Sequence, residues 1–172
     1  MSRQIRPPAD VDHVEARRRQ WERELPGVDT SGMAILGRTR WITQFVRPAI
    51  EAVFARHGID AGEFDVLATL LRSGPPYRLR PTELYTSLMI SSGGLTDRLV
   101  RLERAGMIVR RPSETDARSL LVELTAKGRK TAEDAFREDM AVEAALLEGL
   151  TAKERDELAR LLARLAKSVA AE

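Results

Sequence analysis

The stretch SLMISSGGLTDRLVRLERAGMIVRRP, residues 87–112, limits the fold more than any other. Its hydrophobic period changes at Gly106. Before that point Leu95, Leu99 and Leu102 recur at i, i+4 and i+7, one face of a helix. After it, Met107–Arg111 reads as a strand and Leu120–Leu124 as its partner. The loop between them, PSETDARS, offers Pro112, Ser113 and Asp116 as turn formers. Ser91 is a good N-cap and Gly106 suits the left-handed residue after a helix, so a helix is expected over 91–105. Gly93 and Gly94 fit its stability poorly, since Gly costs roughly 1 kcal/mol against Ala inside a helix. They suit a helix end that something must approach closely.

The surrounding segments complete a pattern. Asp60-Ala-Gly-Glu63 is a capping box that opens a helix with the stripe Phe64, Leu67, Leu70 and Leu71. Ser73-Gly-Pro-Pro76 stops it, and Pro81 starts a short helix to Ser87 or Leu88. Residues of about 60–124 therefore read helix, helix, helix, β-hairpin, a winged helix-turn-helix. On the N-terminal side, residues 1–10 are a loose arm and Val11–Glu24 a helix. A long helix then runs from Thr30 or Ser31 to Gly58, with a kink or break expected at Pro48. On the C-terminal side, Thr125 caps a helix carrying Phe136, Met140, Ala144 and Leu147. A second capping box, Thr151 to Glu154, opens a last helix with Leu158, Leu161, Leu162, Leu165 and Val169. The fold class is mainly α with a small β-hairpin. Three regions follow: 1–58, 59–124 and 125–172, the outer two far too apolar to stand alone.

Composition narrows the function. The absence of cysteine rules out disulfides, Cys-ligated zinc and thiol redox sensing by this chain. His13 and His57 sit in different segments without a neighbouring ligand at helical spacing, so no metal or other cofactor is implied, and both read as surface histidines. No run of about 18 apolar residues spans a membrane. No apolar signal segment is seen, and a cytoplasmic protein is the default expectation. No Ser-His-Asp set, metal cluster or phosphate-cradling Gly loop argues for an enzyme. Net charge is only +2, but Arg72 to Arg118 holds nine Arg against five acids, whereas Ser119 to Glu172 holds nine basic and eleven acidic residues. A locally basic surface on a near-neutral chain suits a polyanion such as double-stranded DNA.

A reading helix enters the major groove with its N-terminal residues at base edges. With the leucines of 91–105 turned to the core, Ser91, Ser92, Gly93, Gly94, Thr96, Asp97 and Arg101 are left outside. Free N–H groups at the helix start favour a phosphate. Thr82, on the preceding short helix, joins this set. Arg111 and Arg118 flank the hairpin loop, where Arg118 would enter a narrow minor groove and Asp116 would brace Arg110 or Arg111.

Residues 60–128 resemble the MarR family of bacterial transcription regulators. The similar motifs are FDVLATL (64–70), RPTELYTSLMISSGGLTDRLVRLERAGMIVR (80–110) and RPSETDARSLLVELTAKG (111–128). The resemblance implies a homodimer built by the N- and C-terminal helices, bound to a pseudo-palindromic operator and usually repressing. It also implies a small ligand, often an aromatic acid.

Arg98 departs from the common pattern, which has an apolar residue there. At ~100° per residue it lies only about 60° from Leu95 and about 40° from Leu102. A guanidinium so near the core face needs a partner or an anion, because burying it alone costs several kcal/mol. It either snorkels to the surface or lines a pocket. The urate-responsive subgroup of the family offers the second reading: its Trp, Asp and two Arg are similar to Trp21, Asp65, Arg98 and Arg110 here. That implies a small anionic aromatic or purine ligand such as urate. By the stripe Phe64/Leu67/Leu71, Asp65 falls on the polar side of its helix. The alternative is a winged-helix scaffold for DNA or protein without a small-molecule response.

Overall fold

Period and caps place the elements where the sequence puts them, with a few shifts. The computed structural model describes residues 12–88, 94–112 and 120–170. In chain order the elements are α1 (His13–Glu24), a π-helical turn (Met33–Gly37), α2 (Arg38–Arg56), α3 (Ala61–Arg72), β1 (Arg78–Leu79) and α4 (Pro81–Ser87). Then come α5 (Leu95–Arg104), β2 (Ile108–Pro112), β3 (Leu120–Leu124), α6 (Ala126–Leu146) and α7 (Ala152–Val169). The chain divides into two compact units, Met1–Pro48 and Ala49–Glu172. The division falls directly after Pro48, although helical structure is continuous through it.

In the first unit Asp12 caps α1, accepting from the N–H groups of Val14 and Glu15. Asp12 also takes an ion pair from Arg38, and both the backbone N–H of Glu15 and that guanidinium hold its pKa below the usual carboxylate range. Val14 is buried beside Gly37, whose missing side chain lets α1 approach the π-helical turn. The His13 ring packs on Trp41, 5.3 Å between centroids, and its Nε2 is buried rather than on the surface.

The core lies in the second unit. Val53, Phe54 and Ile59 pack on Val66, Leu67 and Leu70 of α3, with Leu84, Leu95, Leu99, Leu102, Ile108 and Val122 closing around them. Phe54 stacks on Phe64 at 4.1 Å. The Asp60–Glu63 capping box forms in both directions, at 2.7 and 2.9 Å. Sheet order is β1-β3-β2, all antiparallel, with Arg110 opposite Val122 and Leu79 also opposite Val122 on the other side. The edge strand β1 is not evident from the sequence, being two residues between prolines.

The side of α6 that its own chain buries is made of small residues and one acid. Gly128, Ala132, Ala135 and Asp139 are buried, whereas Phe136 and Met140 face outward. Small residues let α6 lie close on α3. A Cβ on Gly128 would sit 1.9 Å from the Met107 carbonyl oxygen, so this approach demands glycine. No helix is long and apolar enough to cross a membrane among the described residues.

Candidate nucleic-acid interface

α5 begins at Leu95, later than the expected Ser91. Gly94 occupies its N-cap with φ +75°, a left-handed conformation that side chains resist, so this glycine has a backbone reason as well as an approach reason. Ser91, Ser92 and Gly93 lie outside the described residues. The far end is closed by a Schellman motif: Met107 N–H donates to the Leu102 carbonyl and Gly106 N–H to that of Glu103, both at 2.9 Å. Thr125 Oγ1 donates to the Gly106 carbonyl at 2.8 Å and Lys127 Nζ to that of Ala105 at 2.7 Å. The start of α6 thereby clamps the end of α5.

The leucines of α5 are buried as their spacing requires, and Gly94, Thr96 and Asp97 are exposed. With α4 they bound an open cleft of about 520 Å3 lined by Thr82, Tyr85, Thr86, Gly94 and Thr96, among others. Three of the expected DNA-facing residues, Thr82, Gly94 and Thr96, thus share one surface. Tyr85 was not foreseen; it is 56% exposed, one turn after Thr82. An outward aromatic on a short amphipathic helix was the available signal. Arg72 ties the end of α4 to α3, donating through Nη2 to the Ser87 carbonyl at 2.6 Å and to Thr69 Oγ1 at 2.7 Å.

Arg101, expected on the DNA side, instead turns back to α3. Its Nε donates to Glu63 Oε1 at 2.6 Å and its Nη2 to Asp60 Oδ2 at 2.9 Å. These carboxylates, chiefly Glu63, push the Arg101 pKa further up, so the guanidinium stays charged. Arg98 lies alongside, its guanidinium against Gly62. Asp65, one turn beyond Gly62, is buried rather than solvated, because α3 is covered on nearly every side. Arg110 on β2 pairs with Glu103 on α5, and this hydrogen-bonded pairing lowers the Glu103 pKa and raises that of Arg110. Arg111 is exposed, with Glu123 at 3.8 Å. Asp116 and Arg118 lie outside the described residues, so the partner seen for Arg110 is Glu103. Trp21 belongs to the first unit and is half-exposed.

Comparison with known proteins settles the kinship. Residues 57–119 match the model of the MarR family. The chain is 36% identical over 148 residues to the HTH-type transcriptional regulator PecS of Dickeya dadantii, covering 86% of this chain and 89% of that one. The chain belongs to the MarR family. It is also similar to the HTH-type transcriptional repressor YetL of Bacillus subtilis, 29% identical over 72% of this chain and 74% of that one. Among solved structures, a cysteine-to-serine variant of MarR from E. coli, complexed with operator DNA, superposes with a TM-score of 0.66 at 28% identity. That match covers 80% of this chain and 99% of MarR. As a MarR-family member the chain is a DNA-binding transcriptional regulator with a winged helix-turn-helix fold. Among the residues around α5, Glu103 and Gly62 escaped the sequence reading. Glu103 looks like any solvated acid, and Gly62 looks like filler inside a capping box.

Proposed function

We propose that this MarR protein is a ligand-responsive repressor that binds a pseudo-palindromic operator as a homodimer and leaves it when a small anionic aromatic or purine ligand, such as urate, binds. The observation that carries the reading is the division of α5: three leucines bury one side, while Asp97 is exposed and Gly94 and Thr96 face out beside Thr82. In this reading that outer side enters the major groove, Ser91, Ser92 and Gly93 continue it toward phosphate, and Arg111 and Arg118 serve the wing, with Asp116 as a brace. Arg101 then positions α5 against α3. Operator DNA bound to the similar MarR structure supports the docking, and the repressor name of the YetL relative supports repression.

Regions 1–58 and 125–172 build the dimer around the reading head at 59–124. What supports this is apolar surface: α7 has no buried residue, its Leu158, Leu161 and Leu162 are 42–45% exposed, and Phe136 on α6 is 50% exposed. Asp65, Arg98 and Arg110, all in the second unit, form the ligand-sensing set of this reading. What supports the set is that Arg98 is half-buried against Gly62, with the buried Asp65 on the same helix, and that a guanidinium fork suits a planar anion.

The test is a gel-shift titration with duplexes from the promoter region upstream of its own gene, with and without urate. A palindrome of ~16–20 bp should bind with an affinity that falls steeply with salt, and urate should weaken it by a coupling of ~1–3 kcal/mol. No binding to any such duplex at ~50 mM salt would sink the repressor reading. Unchanged binding under urate would sink the ligand.

A further inference from the structure

We propose that Gly62 sets the sensor's sensitivity to its ligand: its bare Cα is the seat on α3 that holds the Arg98 guanidinium in the position to grip a planar anion. The inference rests on the sensing role proposed for Arg98.

Gly62 stands two residues after the N-cap Asp60, in the first turn of α3, and is buried. Its φ is not in the left-handed region, unlike Gly94 at +75° and Gly106 at +69°, so no backbone demand selects glycine there. Helix propensity argues against it, since Ala is favoured by roughly 1 kcal/mol. The remaining reason is space. A Cβ at Gly62 would lie 2.4 Å from Arg98 Nε, 2.7 Å from Cζ and 3.0 Å from Nη2. Gly128 is also closely approached, but by the backbone carbonyl of Met107, which cannot yield. At Gly62 the neighbour is the far end of a long side chain. A methyl group there leaves the fold intact and moves the guanidinium.

The size of that movement matters. Restoring ordinary contact requires a shift of about 1 Å, beyond the ~0.5 Å tolerance of a bidentate site. The rest of the clamp stays in place, because Arg101, one turn along α5, holds Asp60 and Glu63 independently. Asp65, one turn from Gly62, shares the same side of α3 by helical spacing. The seat therefore sets where the Arg98 head stands on α3, without setting whether α5 is held. That separates sensing from DNA reading along a single helix.

The experiment compares the parent chain, Gly62→Ala, Arg98→Ala and the double variant. Each is measured for operator affinity without ligand, for the urate concentration that halves operator binding, and for Tm. Gly62→Ala should keep operator affinity within about twofold and keep or raise Tm. Its half-effect urate concentration should rise at least about tenfold, and adding Gly62→Ala to Arg98→Ala should change the urate response no further. A Gly62→Ala protein that answers urate like the parent, while Arg98→Ala does not, overturns the seat and leaves the sensor reading standing. Normal responses from both variants, or a parent that ignores urate, overturn both. If Gly62→Ala fails to fold and the double variant folds, Gly62 is a packing residue and the seat is wrong.

Discussion

α5 and α7 are built alike and end differently. Each carries leucines at helical spacing among arginines and acids. On α5, Leu95, Leu99 and Leu102 are 8%, 5% and 1% exposed; on α7, Leu158, Leu161 and Leu162 are 42%, 45% and 44% exposed. The stripe of α5 is covered by α3 and the sheet of its own chain. That of α7 waits for cover, which in the proposed dimer comes from the second copy. An amphipathic stripe thus states that a face needs burying, and tertiary context decides what buries it.

Substitution should separate the two fates. Leu102→Ala is expected to destabilise the reading head by ~2–5 kcal/mol through lost burial and a cavity, measured by urea unfolding. Leu162→Glu should leave the stability of the isolated chain within ~0.5 kcal/mol, as exposed positions do. Its expected effect is on assembly: sedimentation should shift from dimer to monomer, with operator affinity falling at least about tenfold as the second half-site is lost. If Leu162→Glu stays dimeric, α7 is not the covering surface, and the contrast with α5 has another origin.

The same distinction explains how much the sequence reveals. Phe64, Leu67 and Leu70, the two capping boxes and Gly106 carry local signals, and α3, α5, α7 and the hairpin follow from them. β1 was hidden because two residues have no period. The buried side of α6 has no signal in the sequence, because Ala132 and Ala135 are weakly hydrophobic beside Phe136 and Met140, yet close packing on α3 favours the small residues. The site divides in the same way. Thr82, Gly94 and Thr96 meet on one cleft as their helical positions require. The partners of Arg101 and Arg110, and the closeness of Arg98 to Gly62, join residues far apart in sequence. Pairings of that kind have no periodic signature.

Asp139 tests the boundary between inner and outer faces on α6. It is 5% exposed and its Oδ1 has no hydrogen-bond partner among the described residues. Burial, with Glu143 one turn on, pushes its pKa above the ordinary 3.8. A carboxyl raised in the folded state favours folding most when protonated, so its contribution is whole below the unfolded value and is lost as pH rises through the folded one. Asp139→Asn should therefore add ~1 kcal/mol of stability near neutral pH, a gain that vanishes as pH falls toward 3.8. Equal gains at both pH values would mean that packing, not charge, sets the cost at this position.

The smallest expected effect sits on the outer flank of α5, where Glu103 holds Arg110. Half-exposed surface pairs of this kind contribute about 1 kcal/mol or less, so Glu103→Gln should barely change Tm. It should change availability instead. Arg110 is the β2 member of the proposed sensing set, and in the parent a ligand must compete with Glu103 for it. Removing the carboxylate charge should lower the half-effect urate concentration by up to about fivefold, the equivalent of 1 kcal/mol. Operator affinity without urate should stay unchanged, because the leucine side that seats α5 is untouched. A Glu103→Gln protein with weakened operator binding and an unchanged urate response would assign the pair to holding α5, and would place Arg110 with the clamp rather than the sensor.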